Sequence, residues 1–365
     1  MNPAASEGIC ALVRRCLVLA TGLVACSAPN GVPPAVSASA HDDARGDARA
    51  KGTANLDAEL QRAAESALRK VARPSAVIAL DPNTGVVRAV SSVAGERGDP
   101  LLTAHVPAST FKVFTAIAAL EAGALSPGDE KACTGTYDFG GKSFRCVSAH
   151  GQETVGTAIV RSCNGFFYDV GAHMDHARLL DVARRFGFGE RAFVDLPDEA
   201  GNVEGLARAE EIRHDPSSAV PLLDAIGHGE IAVTLVQLAR AFAALTNGGK
   251  LFRLGLHGGS SIERMVGVSP GTLSMIRGAL ARVVDDADGT AHDVAIAGFP
   301  FAGKTGGSDS PPVNSGEDRW FVAYAPAYAP AILVAARVEH AEGANDSKHV
   351  VRDVLEAYRA LGRPL

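Results

Sequence analysis

Ala76-Val77-Ile78-Ala79-Leu80-Asp81-Pro82-Asn83-Thr84-Gly85-Val86-Val87-Arg88-Ala89-Val90 reads as a strand, a turn and a returning strand. Asp, Pro, Asn and Gly cluster between two apolar runs, which is the pattern of a hairpin. Ahead of it, Leu56, Leu60, Ala64, Leu68 and Val71 recur on one helical face, and Pro74 follows the helix end. Strand signals then return only toward the far end of the chain. Phe299 to Lys304 leads into a Gly-rich turn, and residues 320–324 and 331–336 are two further strands. A last helix over 346–361 carries Val350, Val354, Leu355, Tyr358 and Leu361 on its apolar face. The middle, about 109 to 285, is largely helical by pattern, broken by a cysteine-flanked hairpin and polar loops. There is neither βαβ alternation nor an internal repeat, which argues against a doubly wound parallel sheet. The predicted class is α/β of the α+β type. An antiparallel sheet is built from both termini and flanked by helices, with a mostly helical insertion lobe. A cleft between the two lobes is a natural substrate site.

The chain has 365 residues, 47% hydrophobic and 21% charged, with a formal net charge of -6. That is ordinary for a globular protein, and without long basic runs it gives no reason to expect a nucleic-acid partner. The first 50 or so residues are different. Arg14 and Arg15 precede an apolar run from Cys16 to Ala25, too short to span a bilayer and right for a signal h-region. The run ends in Leu23-Val24-Ala25-Cys26, which resembles a bacterial lipobox. Residues 1–25 are therefore expected to be a signal peptide, and Cys26 the lipidated first residue of the mature protein. The alternative is an ordinary secretory signal cleaved after Ala38-Ser39-Ala40. Residues 26–54, rich in Ala, Ser, Pro, Gly and Asp, read as a flexible tether. The expected location is the periplasmic face, anchored to a membrane through lipid, with the outer membrane as the guess from Ser27.

Three cysteines remain beyond the tether: Cys133, Cys146 and Cys163. With Asp138 to Gly141 as a four-residue hairpin loop, Tyr137 faces Lys142 and Cys133 faces Cys146. A cross-strand Cys133–Cys146 disulfide is then geometrically reasonable in an oxidising compartment, with two buried thiols as the alternative. A zinc pair is disfavoured, because no second pair of ligands has matching spacing. His173-x-x-His176 reads as part of a surface helix. No metal and no cofactor are expected.

Three short motifs carry the chemistry. Ser109-Thr110-Phe111-Lys112 precedes a strong helical run, which places Ser109 at a helix N-terminus and Lys112 one turn later on the same face. A desolvated amine can lose enough basicity to take a serine proton, and the helix terminus favours negative charge there. Ser162-Cys163-Asn164 offers a hydroxyl that could relay a proton and an amide that could bind a substrate amide. Lys304-Thr305-Gly306 ends the 299–304 strand, where Gly306 and Gly307 allow a substrate backbone to approach. Each motif alone is weak: an N-cap serine, an ordinary loop and a strand-end turn would explain them separately. Their joint occurrence in this order is far more specific.

That ordered set resembles the penicillin-binding proteins and β-lactamases over roughly residues 55–365, and most closely the transpeptidase domain of class B penicillin-binding proteins. Gly227-His228-Gly229-Glu230-Ile231-Ala232-Val233-Thr234, running on to Asn247-Gly248-Gly249-Lys250, is similar to a stretch of those domains, as is Val194-Asp195-Leu196-Pro197. The resemblance implies D,D-transpeptidase or D,D-carboxypeptidase chemistry on D-Ala-D-Ala stem peptides of peptidoglycan. Ser109 would be the nucleophile and Lys112 the general base, with Ser162 and Lys304 returning the proton and Asn164 binding substrate. Thr305 would bind the substrate carboxylate, Gly306 would let the backbone close in, and the N–H groups of Ser109 and Gly307 would form the oxyanion hole. β-Lactams would acylate Ser109 and leave slowly. The partners it implies are stem peptides, β-lactams, the membrane through the lipid anchor, and unidentified proteins of cell-wall synthesis.

Two features depart from the family. The residue after Lys-Thr-Gly is usually Thr or Ser and here is Gly307, so one hydroxyl for the carboxylate is lost unless Ser308 or Thr305 substitutes. Class B proteins also carry a pedestal domain, whereas a tether and one helix precede the first strand here, so pedestal contacts are not carried over. The rival enzyme is a class D-like serine β-lactamase, suggested by Pro107-Ala108-Ser109-Thr110-Phe111-Lys112. Those enzymes keep an apolar residue where Asn164 stands, around a carbamylated lysine, and no E-x-x-L-N segment of the class A type is present. The rival of another class is a non-catalytic β-lactam sensor or cell-wall scaffold.

Overall fold

The computed structural model describes residues 56–212, 215, 217–257, 259–309, 316–341 and 346–362. The expectations placed on Cys26 and residues 1–54 lie outside the described residues. The chain opens with α1 (Ala58–Val71), capped by the Asp57 carboxylate, which accepts from the N–H groups of Glu59 and Leu60. Leu60, Ala64 and Leu68 are buried as the period of the sequence predicts, with Ala67 beside them, while Leu56 and Val71 are half-buried. The hairpin follows as β1 (Ser75–Leu80) and β2 (Val87–Val93), with Ile78 opposite Val90.

The chain then leaves the sheet for about two hundred residues. A 3-10 turn over Ala108–Thr110 feeds α2 (Lys112–Glu121). The cysteine region gives β3 (Lys131–Cys133), β4 (Thr136–Phe139), β5 (Lys142–Arg145) and β6 (Gly151–Glu153). Helices α3 (Val155–Val160), α4 (Asn164–His173), α5 (His176–Arg185), α6 (Gly205–Ile212), α7 (Val220–Ala225) and α8 (Leu235–Thr246) come next. A small hairpin, β7 (Lys250–Arg253) with β8 (Ser261–Met265), precedes α9 (Pro270–Asp285). The insertion is thus mostly helical. The chain re-enters the sheet as β9 (Ala302–Asp309), β10 (Glu317–Ala325) and β11 (Ile332–Ala341) and ends in α10 (Asp346–Ala360).

The main sheet has five strands in the order β2-β1-β11-β10-β9, all antiparallel. β1 is buried at every position, as expected for a strand covered on both faces. Helices α1 and α10 pack on one another and on the sheet, while α8 packs on β1 and β11. The expected architecture, an antiparallel sheet from both termini around a helical insertion, is the one found.

Three local expectations need correction. Lys304-Thr305-Gly306 does not end its strand. β9 runs on through Gly306 and Gly307 to Asp309 because the whole segment pairs with β10, Thr305 opposite Phe321 and Gly307 opposite Arg319. The cysteine hairpin is out of the expected register: Phe139 pairs with Lys142 and Tyr137 with Phe144. Gly140 and Gly141 both take positive φ, 59° and 74°, and so close a tighter two-residue turn than the four-residue loop expected. Finally, His176 is fully buried, its Nε2 2.8 Å from the Gly171 carbonyl oxygen, whereas His173 is exposed. His173 ends α4 and His176 opens α5, which packs on α2 and α6, so the two do not belong to one surface helix as expected.

Candidate active site

Ser109 lies in the 3-10 turn ahead of α2, and that turn is under backbone strain. Ala108 takes φ 51°, a left-handed value unusual outside glycine, and its N–H donates to the Gly227 carbonyl. The Thr110 hydroxyl bonds back to the Pro107 carbonyl at 2.6 Å. Phe111 and Phe114 anchor the turn in an aromatic cluster with Phe188, Phe186 and Phe242. The nucleophile candidate is therefore carried on a pinned turn, half-buried at the edge of a cleft.

One helical turn on, Lys112 is completely buried. Its ammonium donates to the Ser162 carbonyl at 2.7 Å and to Asn164 Oδ1 at 2.5 Å, and its Nζ is 3.4 Å from Ser162 Oγ. The Phe167 ring lies 5.7 Å from the same nitrogen. Burial lowers the Lys112 pKa to about 8. Ser162 takes φ 54°, a second strained residue, in the turn between α3 and α4. Both its carbonyl and its hydroxyl reach Lys112 from that turn.

Lys304 arrives from the opposite side, on β9. It too is fully buried, and it donates to Ser162 Oγ at 2.9 Å and to the Thr305 carbonyl at 3.0 Å. Burial, and then the charge of Lys112, holds its pKa well below the ordinary lysine value. One serine hydroxyl thus sits between two amines that burial biases toward the neutral form. The chain Asn164–Lys112–Ser162–Lys304 is continuous in hydrogen-bond distance.

Ser109, Ser162, Asn164, Thr305, Gly306 and Gly307 line one cleft of about 340 Å³. Gly306 is needed where β9 passes the Ser109 turn: a Cβ there would stand 2.9 Å from Thr110 Cγ2 and 3.1 Å from the Pro107 oxygen. The Gly307 carbonyl lies 3.0 Å from His228 Nε2 and therefore points off the sheet. In an extended strand the N–H of a residue points the same way as its C=O, so the Gly307 N–H also faces the cleft. The Thr305 hydroxyl donates to Thr290 Oγ1 at 2.8 Å.

The sequence did not single out His228, Thr290 or Arg319 for roles in this cleft, although all three line it. His228 lies within the quoted 227–234 stretch and was legible there. Thr290 and Arg319 carry no local signal. Arg319 stands out, because a Cβ on Gly307 would come within 2.7 Å of its Nη1. It pairs with Glu317, and its Nε is buried without a partner among the described residues.

The cysteine expectation is corrected here. Cys133, Cys146 and Cys163 are free thiols. In the observed register Cys133 pairs across β6 with Gly151, while the Cys146 N–H donates to the Gly135 carbonyl, so the two do not face one another on one ladder.

The comparisons with known proteins agree with this geometry. A family model described as the penicillin binding protein transpeptidase domain matches residues 75–356. Stage V sporulation protein D of Bacillus subtilis is 28% identical over 268 residues, covering 68% of this chain and 40% of that protein. Peptidoglycan D,D-transpeptidase PbpA of Mycobacterium tuberculosis is 28% identical over 340 residues, covering 77% of this chain and 66% of that protein. The chain thus spans about 40% to 66% of the length of these two relatives. Among solved structures, Pseudomonas aeruginosa PBP2 in complex with WCK 5153 superposes with a TM-score of 0.73 at 26% identity, covering 84% of this chain and 78% of that one. The transpeptidase domain of Burkholderia pseudomallei penicillin-binding protein 3 gives a TM-score of 0.75 at 23% identity, covering 87% and 99%, and shares the fold. With the family model spanning well over half of its residues, the chain belongs to the penicillin binding protein transpeptidase domain family.

Proposed function

We propose that this chain is a serine D,D-transpeptidase or D,D-carboxypeptidase of peptidoglycan that penicillins acylate at Ser109. The observation that carries the reading is the Ser162 hydroxyl held between buried Lys112 and Lys304 in the cleft that Ser109 lines. Neutral Lys112 accepts the Ser109 proton as Oγ bonds to the carbonyl carbon of the penultimate D-alanine. The oxyanion is received by the N–H groups of Ser109 and Gly307, each worth about 3–4 kcal/mol. The C–N bond then breaks, and the proton passes from Lys112 through Ser162 to the departing D-alanine, with Lys304 holding the Ser162 oxygen. An amine or water takes the acyl group in the second half. The test is incubation with a D-Ala-D-Ala stem peptide, with and without a D-amino acid acceptor. Release of D-alanine supports the reading, and its absence from a folded, penicillin-reactive chain would favour the sensor or scaffold.

The structure bears on the β-lactamase alternative in two ways. Lys112 donates to Asn164 Oδ1, a position where a carbamate oxygen would meet another acceptor. No Asp or Glu is among the described residues that line the cleft; the nearby carboxylates Glu317, Asp288 and Asp293 are held in ion pairs with Arg319, Arg161 and Lys348.

Arg319 answers the loss of a hydroxyl at position 307. Its guanidinium occupies the space a side chain there would fill, beside Thr305 and Gly306, and supplies a charged donor for the substrate carboxylate. A charge-assisted bond of this kind is worth about 1.5–3 kcal/mol. Arg319→Ala should therefore lower kcat/KM for stem peptide, and the penicillin acylation rate, by about ten- to a hundredfold. Unchanged acylation would remove Arg319 from the site.

Export with a lipid on Cys26 belongs to the same proposal and is supported by the Leu23-Val24-Ala25-Cys26 stretch. No helix among the described residues is long and apolar enough to cross a membrane. Metabolic labelling with a fatty acid tests it: label lost in Cys26→Ser supports the anchor, and label retained contradicts it.

A further inference from the structure

We infer that Cys133, Cys146, His150 and Cys163 form a structural zinc site behind the Ser162–Asn164 turn. Their four ligand atoms all lie within 4.8 Å of one another. His150 Nδ1 is 3.6 Å from Cys133 Sγ and 3.5 Å from Cys146 Sγ, and Cys146 Sγ is 4.0 Å from Cys163 Sγ. In a tetrahedral site with Zn–S near 2.3 Å and Zn–N near 2.0 Å, the edges are about 3.8 Å between sulfurs and about 3.5 Å from sulfur to nitrogen. These three spacings lie within about 0.3 Å of those edges, and the other three are no longer than 4.8 Å. A disulfide would need its sulfurs about 2.05 Å apart, and three thiols cannot all be paired by one. Three cysteines and one histidine make a closed, structural ligand set.

The surroundings suit thiolates. The Asn164 N–H donates to Cys146 Sγ at 3.1 Å and the Phe166 N–H to Cys163 Sγ at 3.4 Å, both from the first turn of α4. Cys133 and Cys163 are buried, and Cys146 and His150 are half-buried, so the site is shielded yet reachable. Gly165 leaves the room required, since a Cβ there would lie 2.9 Å from Cys133 Sγ.

The ligands come from four places: the end of β3, the residue after β5, the residue before β6 and the N-cap of α4. Elements too short to bury much apolar surface are thereby cross-linked by metal, which adds folding free energy directly. Cys163 stands between Ser162 and Asn164, the two residues that hold Lys112. A metal on Cys163 fixes that strained turn, so the cysteines and His150 act as positioning residues. The inference stands on ligand geometry and is independent of the reaction assigned to Ser109.

The test uses the full chain, purified under reducing conditions, equilibrated with zinc, dialysed and analysed for metal. One zinc per chain is expected, and cobalt in its place should give the intense thiolate-to-metal and tetrahedral visible bands. Cys146→Ser and His150→Ala should each lose the metal. Cys146→Asp, which keeps a ligand, should retain it and so guards against a variant that merely fails to fold. A folded chain by circular dichroism that binds neither zinc nor cobalt overturns the site. So does a disulfide among these cysteines in the unreduced chain, or zinc that persists in both Cys146→Ser and His150→Ala.

Discussion

Ser109→Ala is expected to leave no penicillin adduct on the chain while its thermal unfolding midpoint stays within a degree or two of the parent. The nucleophile is lost, so acylation should fall on the order of 10⁴-fold or more, the scale seen when such a residue is removed. The stability expectation follows from the site. Ser109 is half-buried, and among the described residues its hydroxyl holds none of the bonds that pin the turn. Those belong to the Thr110 hydroxyl and the Ala108 N–H. Intact-mass analysis after incubation with a penicillin checks the first part and calorimetry the second. A persistent adduct in the variant would place the nucleophile elsewhere.

Lys112→Met has the second largest expected effect. Removal of a general base lowers the rate about 10²- to 10⁴-fold. With a pKa of about 8, the parent should acylate tenfold more slowly for each pH unit below that value and reach a plateau above it. The variant should lose this profile. Stability gives an independent readout. The folded pKa of about 8 lies below the ordinary lysine value of 10.5. Between those limits the unfolded chain binds more protons than the folded one, so this residue's contribution to stability rises with pH across the window. Below pH 8 both states are protonated and the full burial penalty is present, roughly 3 kcal/mol for such a shift. Stability of the parent relative to Lys112→Met should therefore increase by about that amount from pH 7.5 to 10.5. Denaturant midpoints at the two pH values check it, and a flat difference would show that Lys112 titrates normally.

What the sequence carried was local. The Ser109-Thr110-Phe111-Lys112 turn, the β1–β2 hairpin and the faces of α1 and α10 each depend on residues a few positions apart, and periodicity or turn chemistry exposes them. The β9 reading failed at Gly306 and Gly307. Glycines usually signal a turn, but pairing with β10 holds these extended, and their value is the room they leave for Thr110 and Arg319. The cysteine register failed because two glycines at 140 and 141 closed a shorter loop than expected. Arg319, Thr290 and His150 could not be found from spacing. Each is brought to its place by strand pairing or helix packing between distant segments.

The central claim is that the pinned Ser109 turn and the Lys112–Ser162–Lys304 array together make residue 109 the acyl carrier. Peptide mapping of the full chain after brief exposure to a penicillin, followed over hours, tests it most directly. The account requires one penicilloyl group on the peptide that bears Ser109, still present long after free drug is removed. A chain that stays unmodified, carries the group on another peptide, or sheds it within seconds would contradict it.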